Sequence, residues 1–261
     1  MMKKRSRFAL KPVLCILFPA ILLMSFPAQA HFPWINLVDY TPNQGAGLNL
    51  TIGYGHHYPL DGFLKKDALQ SISLIGPDKE APAIKFTSEL ELQSEEALSQ
   101  EGVYIVAAQK KDSYYTKTSN GAKRTSKKGL DGVIRCSYSH KCMKAVANVG
   151  KGGRADTVVG HPIEIIPLEN PANLKAGDYL PIRVVADGKP FSGDVFATFS
   201  GFSTDKSTFA YATRTDKKGH ARIRILRPGV WLIKVSHEVP YADSTECDLE
   251  SFVGTLTFAV E

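Results

Sequence analysis

Beyond residue 30 the chain has no run long and apolar enough to cross a bilayer, which takes about 20 residues. It contains no G-x-S-x-G, no H-E-x-x-H and no glycine loop placed to cradle phosphates. Gly150, Gly152 and Gly153 follow a segment of helix-compatible composition instead of opening one. Glu95 and Glu96 are adjacent carboxylates in a polar stretch with nothing to bury them, and no Ser/His/Asp arrangement stands out. These absences point away from an enzyme. There is no internal repeat. Net charge of one sign is also missing once the N-terminus is set aside. All 32 Lys and Arg against 26 Asp and Glu give +6, but Lys3, Lys4, Arg5, Arg7 and Lys11 precede residue 31. The remainder carries a net charge of about +1, so a nucleic-acid partner loses its main support.

What the N-terminus does have is an export signal. The basic residues at 3–7 are followed by the apolar run PVLCILFPAILLMSF at 12–26 and then Pro27-Ala28-Gln29-Ala30. That order of charge, apolar core and small-residue box is the one a signal peptidase needs. Cleavage after Ala30 is expected, leaving a periplasmic product that begins at His31 and does not insert in the membrane.

Three cysteines then remain, Cys136, Cys142 and Cys247. An oxidising compartment favours one disulfide among them. Three pairings are open, and the close spacing of Cys136 and Cys142 makes that pair the first expectation. Alternation in 48–54 and short runs at 70–75, 83–87 and 103–109 read as strands, while 88–101 reads as a loop or short turn. The polar, basic stretch 110–129 reads as a long loop, and 136–149 as a short helix. From 160 onward seven short β runs alternate with turns such as Asp187-Gly188-Lys189-Pro190 and Pro228-Gly229, with Trp231 as a core residue. The expected fold is all-β. An N-terminal β-sandwich spans 31–159 and carries the inserted loop and helix. A C-terminal immunoglobulin-like or transthyretin-like sandwich spans 160–261.

The chemistry lies in the histidines. As a first residue His31 offers an α-amine with a pKa of about 7.7–8 beside its imidazole, and both can chelate one ion. Nitrogen donors of this kind suit nickel, cobalt, copper and zinc. His56 and His57, bracketed by Gly55 and Pro59, are candidate partners. On a regular strand adjacent residues face opposite ways, so a turn is needed for both to converge. His237, after a strand, is a further candidate ligand. His140 between Cys136 and Cys142 suggests a soft-metal site, in competition with the disulfide. His161 and His220 read as structural.

HFPW at 31–34, GYGHHYP at 53–59, YYTKTSNGAKRTSKKGL at 114–130 and GHPIEIIPLENPANLKAGD at 160–178 resemble periplasmic components of cobalt/nickel transport systems. DGKPFSG at 187–193, TDKKGHARI at 215–223 and PGVWLIKVSH at 228–237 extend the likeness over nearly all of the chain after residue 30. The domain of that family is otherwise catalogued as one of unknown function. The resemblance implies two β-sandwiches and a non-enzymatic protein that binds Ni²⁺ or Co²⁺, with Cu²⁺ or Zn²⁺ also accepted by the donors. It implies transfer of the ion to a membrane importer or another carrier, with His31, His56 and His57 as candidate metal ligands and His237 as a further one. In the capture expected from these donors, water or a carboxylate such as Asp61 fills the remaining positions. Cys136 and Cys142 depart from its pattern. Two rival readings use the same sequence: a copper oxidase with an N-terminal histidine brace and Tyr58 near the metal, and a metal-free structural or carbohydrate-binding sandwich presenting Trp34, Tyr114 and Tyr115.

Overall fold

The computed structural model describes residues 31–150 and 152–261; the export signal expected over 1–30 lies outside them. Strands dominate. The first half contains β1 (Phe32–Leu37), β2 (Asn49–Gly55), β3 (Gly62–Phe63), β4 (Leu69–Ile75), β5 (Ile84–Phe86), β6 (Glu91–Ser94), β7 (Gly102–Thr118), β8 (Gly121–Lys123) and β9 (Val133–Val149). The second contains β10 (Ile163–Pro167), β11 (Tyr179–Ala186), β12 (Lys189–Pro190), β13 (Asp194–Phe199), β14 (Tyr211–Arg214), β15 (His220–Arg224), β16 (Gly229–Pro240) and β17 (Leu249–Val260).

A central eight-stranded sheet runs β14-β13-β16-β17-β9-β7-β4, with β8 beside β7. It is continuous across the expected join between halves, because β17 pairs with β9 in parallel, from Leu249 opposite Ser137 to Thr257 opposite Ala145. Strand alternation gives this sheet two apolar faces. On one, Val106, Ala108, Met143 and Ala145 pack with Ile35, Leu37, Leu50 and Ile52 of the sheet β1-β2-β6-β5. On the other, Ile105, Val146, Ile233, Val235 and Leu256 pack with Ile163, Ile165, Leu180, Ile182 and Ile223 of the sheet built on β10, β11, β12 and β15. The protein is therefore all-β, with two sandwich cores built on opposite faces of one shared sheet.

Three local expectations fail. The helix expected at 136–149 is strand β9. Its Ala, Lys and Met favour a helix only weakly, and the position in mid-sheet, buried throughout 141–149, overrides that preference. The loop expected at 110–129 begins as strand, since β7 continues to Thr118 and turns back through β8. Its polar sequence reflects a ladder that extends past the covering sheets, where most of residues 109–115 are only partly buried. The disulfide joins Cys136 to Cys247, not to Cys142. Six residues of extended strand span roughly 20 Å, far beyond the ~7 Å that a disulfide permits between Cα atoms. Cys142 is free and buried, and burial pushes its thiol up to about 12. The soft-metal site imagined at Cys136, His140 and Cys142 does not exist in this arrangement.

One buried ion pair stitches β9 to the chain entering β10. Lys144 Nζ lies 2.7 Å from Glu164 Oε1 and donates to Thr157 O at 2.9 Å, with 2% and 0% of the two side chains exposed. Glu164 also accepts from the backbone N–H groups of Val159 and Gly160. Glu164→Leu leaves an ammonium buried without its partner and is expected to cost about 3–5 kcal/mol. The double change Lys144→Met/Glu164→Leu should recover most of that loss. Urea unfolding of the two variants checks both expectations.

Candidate metal centre

The antiparallel register of β1 and β2 places Phe32 opposite Gly55. One step further, His31 faces His56, and directly opposed residues point to the same face. Their rings meet with centroids 4.2 Å apart. Tyr54, two residues before His56 on that face, lies flat against His31 at 5.4 Å. Both glycines of GYGHHYP serve close approaches. A side chain at Gly53 would collide with the Trp34 indole, and one at Gly55 with the Asp61 carboxylate. Asp61 Oδ2 accepts from the His56 N–H at 2.7 Å, fixing the bend where the strand ends. That bond, made before any other influence, holds the Asp61 carboxyl below its ordinary range. Pro59 O accepts from Trp34 Nε1 and Asn36 Nδ2, tying the bend back to β1.

Burial lowers the His31 and His56 imidazoles below the usual histidine value. Lys141 pushes His31 the same way, His31 pushes His56, and Lys206 acts on both. Asp61 opposes these effects at each ring. A lowered pKa favours the neutral imidazole that a metal needs; His56 Nδ1 lies 3.5 Å from Ser207 Oγ. Lys141 Nζ donates to His31 O at 2.6 Å and to Tyr54 OH at 3.2 Å, holding the start of β1 against β9.

His57 is directed elsewhere. Its Nδ1 is 2.9 Å from Leu60 O and its Nε2 2.8 Å from Ser203 O. With a backbone carbonyl facing each nitrogen, the ring clamps the 200–208 loop onto the bend and is not turned toward His31. That loop also reaches His56, through a bond from Ser207 N to His56 O at 2.7 Å. His237 is separated from His31 by the central sheet. β1 lies on one face, where Thr255 and Thr257 donate to Pro33 O and Ile35 O. His237 occupies the other, 5.1 Å from the Phe191 ring and 6.1 Å from Phe252. It cannot complete a site with His31. On that second face His140 sits between two carboxylates. Glu250 Oε1 is 2.8 Å from Nε2, and Asp112 Oδ2 is 2.9 Å from Nδ1 without forming a hydrogen bond to it. His161 is half-buried, and that burial lowers its pKa to about 4. Trp34 is fully buried, which removes it from any exposed aromatic face, and Tyr58 packs edge-on against it away from solvent.

Among the described residues no three His, Cys, Asp or Glu side chains are placed to hold one ion. His31 and His56 are two donors of a set whose third must come from elsewhere, and the α-amine of a chain beginning at His31 lies in reach of its own ring. The pair was legible from its motifs. Tyr54 was missed in favour of Tyr58, although its place two residues before His56 on an alternating strand was a signal that could have found it. Lys141 and Lys206 carried no signal, being 110 and 175 residues from His31 along the chain.

Residues 28–239 match the family described as "Domain of unknown function (DUF4198)". The chain belongs to that family. No curated protein matches the DUF4198 chain. Among solved structures it is similar to the D0-D1 domain of Intimin, at 11% identity over 87% of this chain and 96% of that one, with a TM-score of 0.21. It is also similar to native alpha-2-macroglobulin from Escherichia coli spanning domains MG0-NIE-MG1, at 14% identity over 86% and 72%, with a TM-score of 0.22. Scores this low extend neither likeness to a site or a function.

Proposed function

We propose that this DUF4198 protein is an exported, non-enzymatic carrier of a divalent transition metal, nickel or cobalt, which it supplies to a membrane importer from the periplasm. The observation that carries the reading is the cross-strand contact of His31 and His56, two imidazoles with ring centroids 4.2 Å apart at the first residue expected after signal cleavage. The α-amine and ring of His31 chelate the ion, and the His56 ring adds a third nitrogen. Nickel and cobalt accept this donor set, as do copper and zinc. His57 positions the bend, and His237 takes no part.

Calorimetric titration of the chain beginning at His31 with Ni²⁺, Co²⁺, Cu²⁺ and Zn²⁺ tests this. His56→Ala is expected to weaken nickel binding by more than about tenfold, the lower end of what even outer-shell changes cost. His237→Ala should leave it unchanged. Equal affinities for wild type and His56→Ala would sink the site. A second reading has one observation in its favour. Tyr54, not Tyr58, stands beside His31 as the aromatic neighbour that a copper histidine brace needs. Peroxide-dependent oxidation of a polysaccharide by the copper-loaded protein would favour that oxidase over a carrier.

A further inference from the structure

An unpaired sheet edge is a template for another strand, and proteins guard it with charge, proline or short length. Among the described residues all but one of the edges here are guarded. Pro33 lies in β1, Lys85 in β5, Glu164 in β10, Pro190 in β12, Arg214 in β14 and Arg222 in β15. The strands β3 and β8 are only two and three residues long. The exception is β4, which closes the central sheet and pairs with β7 alone. Its seven residues, LQSISLI, include no charge and no proline. The backbone bond from Lys66 N to Glu89 O lies ahead of the strand, and residues 69–75 make none except to β7. A bulge between Leu69 and Ser71 leaves 71–75 as the regular part of the edge. There Leu74 enters the core beneath the β1–β2 layer, with Ile72 packed against it. Ser71 and Ser73 alternate with them onto the other face and are exposed, while Ile75 leans on the second core.

We propose that two copies of this chain join antiparallel through β4, about a two-fold axis at Ser73, so that the central sheet runs through both. The strand and its flanks fit a second copy. A slip of one residue would set the serines of one copy on the face of the other's Ile72 and Leu74, so like faces meet only in alternate registers. Centring on Ser73 aligns all five regular residues. It sets Ile72 of each copy against Leu74 of the other, an apolar cross-strand pair. The same axis brings the turn that precedes β4 in one copy beside the turn that follows it in the other. Exposed Lys66 and Asp67 then come across from exposed Glu80 and Lys79. Both pairs are of opposite charge, and the symmetry of the interface makes each of them twice. The pairing requires no metal.

Gel filtration with light scattering, on the chain beginning at His31, should give twice the mass of one chain, falling toward one on dilution. Ser73→Lys sets two ammonium groups against each other on the axis and should weaken the dimer by more than about tenfold. Its urea midpoint, read at a dilution where wild type is also monomeric, should not move, because Ser73 is exposed. Ser73→Cys puts two thiols face to face at the spacing a disulfide accepts. Oxidised glutathione should join them, each bridge releasing two molecules of reduced glutathione, and a non-reducing gel should show a covalent dimer. Ser71→Cys faces Ile75 of the other copy and should stay uncross-linked. A wild type that keeps the mass of one chain at every concentration overturns the proposal. So does a dimer that withstands Ser73→Lys, or one cross-linked through Ser71→Cys in place of Ser73→Cys, since each would use another surface or another register.

Discussion

A protein carrying one extra residue ahead of His31 is expected to bind nickel more than about 100-fold more weakly than the chain that begins there. The extension leaves fold and side chains intact, because His31 is exposed and lies just ahead of β1. What it removes is a donor. The α-amine becomes a peptide nitrogen, and two imidazoles remain, a set that no third side chain among the described residues completes. Losing a direct ligand and its chelate ring should exceed the 10–100-fold cost of disturbing an outer-shell partner. The pH dependence provides an independent signature. Burial and the neighbouring lysines hold both rings below the usual histidine pKa of 6.5, so they stay neutral above that value. The amine titrates near 7.7–8 and must lose its proton to coordinate. Affinity of the processed chain should therefore fall as pH drops from 8 to 6.5, by about tenfold per unit where one proton is displaced. The extended chain should show a flat profile over that window. Matching isotherms and matching pH profiles for the two chains would remove the amine from the site.

That expectation depends on residue 31 being first, which the sequence signalled through its small-residue box. The sequence carried the sheet elements well where strands are half-buried and alternate, as in β2, β11 and β16. It failed where β9 lies in mid-sheet. There both faces are buried, alternation vanishes, and Ala145, Ala147 and Lys144 read as helix. Around the metal centre, the His31–His56 pair was visible because both residues lie in distinctive local motifs. Its exclusions were not. His237 was only a further candidate, a histidine following a strand, and the parity of β16 against β17 shows it on the far face. The clamp by His57 depends on Ser203, 146 residues away, and no local pattern reports such a contact.

Removing the bridge with Cys136→Ala/Cys247→Ala is expected to lower the unfolding free energy by about 5 kcal/mol. The two cysteines are 111 residues apart, and closing a loop of that size removes about this much from the entropy of the unfolded chain. The native surroundings leave little room for compensation. Asp248, next to Cys247, accepts from the Cys136 N–H at 2.7 Å and pairs with Lys127, while Lys128 pairs with Glu246 at 3.0 Å. These contacts anchor the 243–248 turn where β17 enters beside β9. That entry is a parallel pairing between residues far apart in sequence, the kind of contact whose loop closure is costly to form unaided. Urea unfolding should show the midpoint lowered by about 2 M for a slope of 2–3 kcal/mol/M. Reductant should reproduce the shift in the wild type and not in the double variant. Cys142 should stay unreactive toward thiol reagents until the protein unfolds, since it is buried. An unchanged midpoint would mean that the ion pairs and the β9–β17 ladder hold the halves together by themselves. A large shift would make an oxidising compartment a condition for a stable shared sheet, and so for the β1 platform that carries His31.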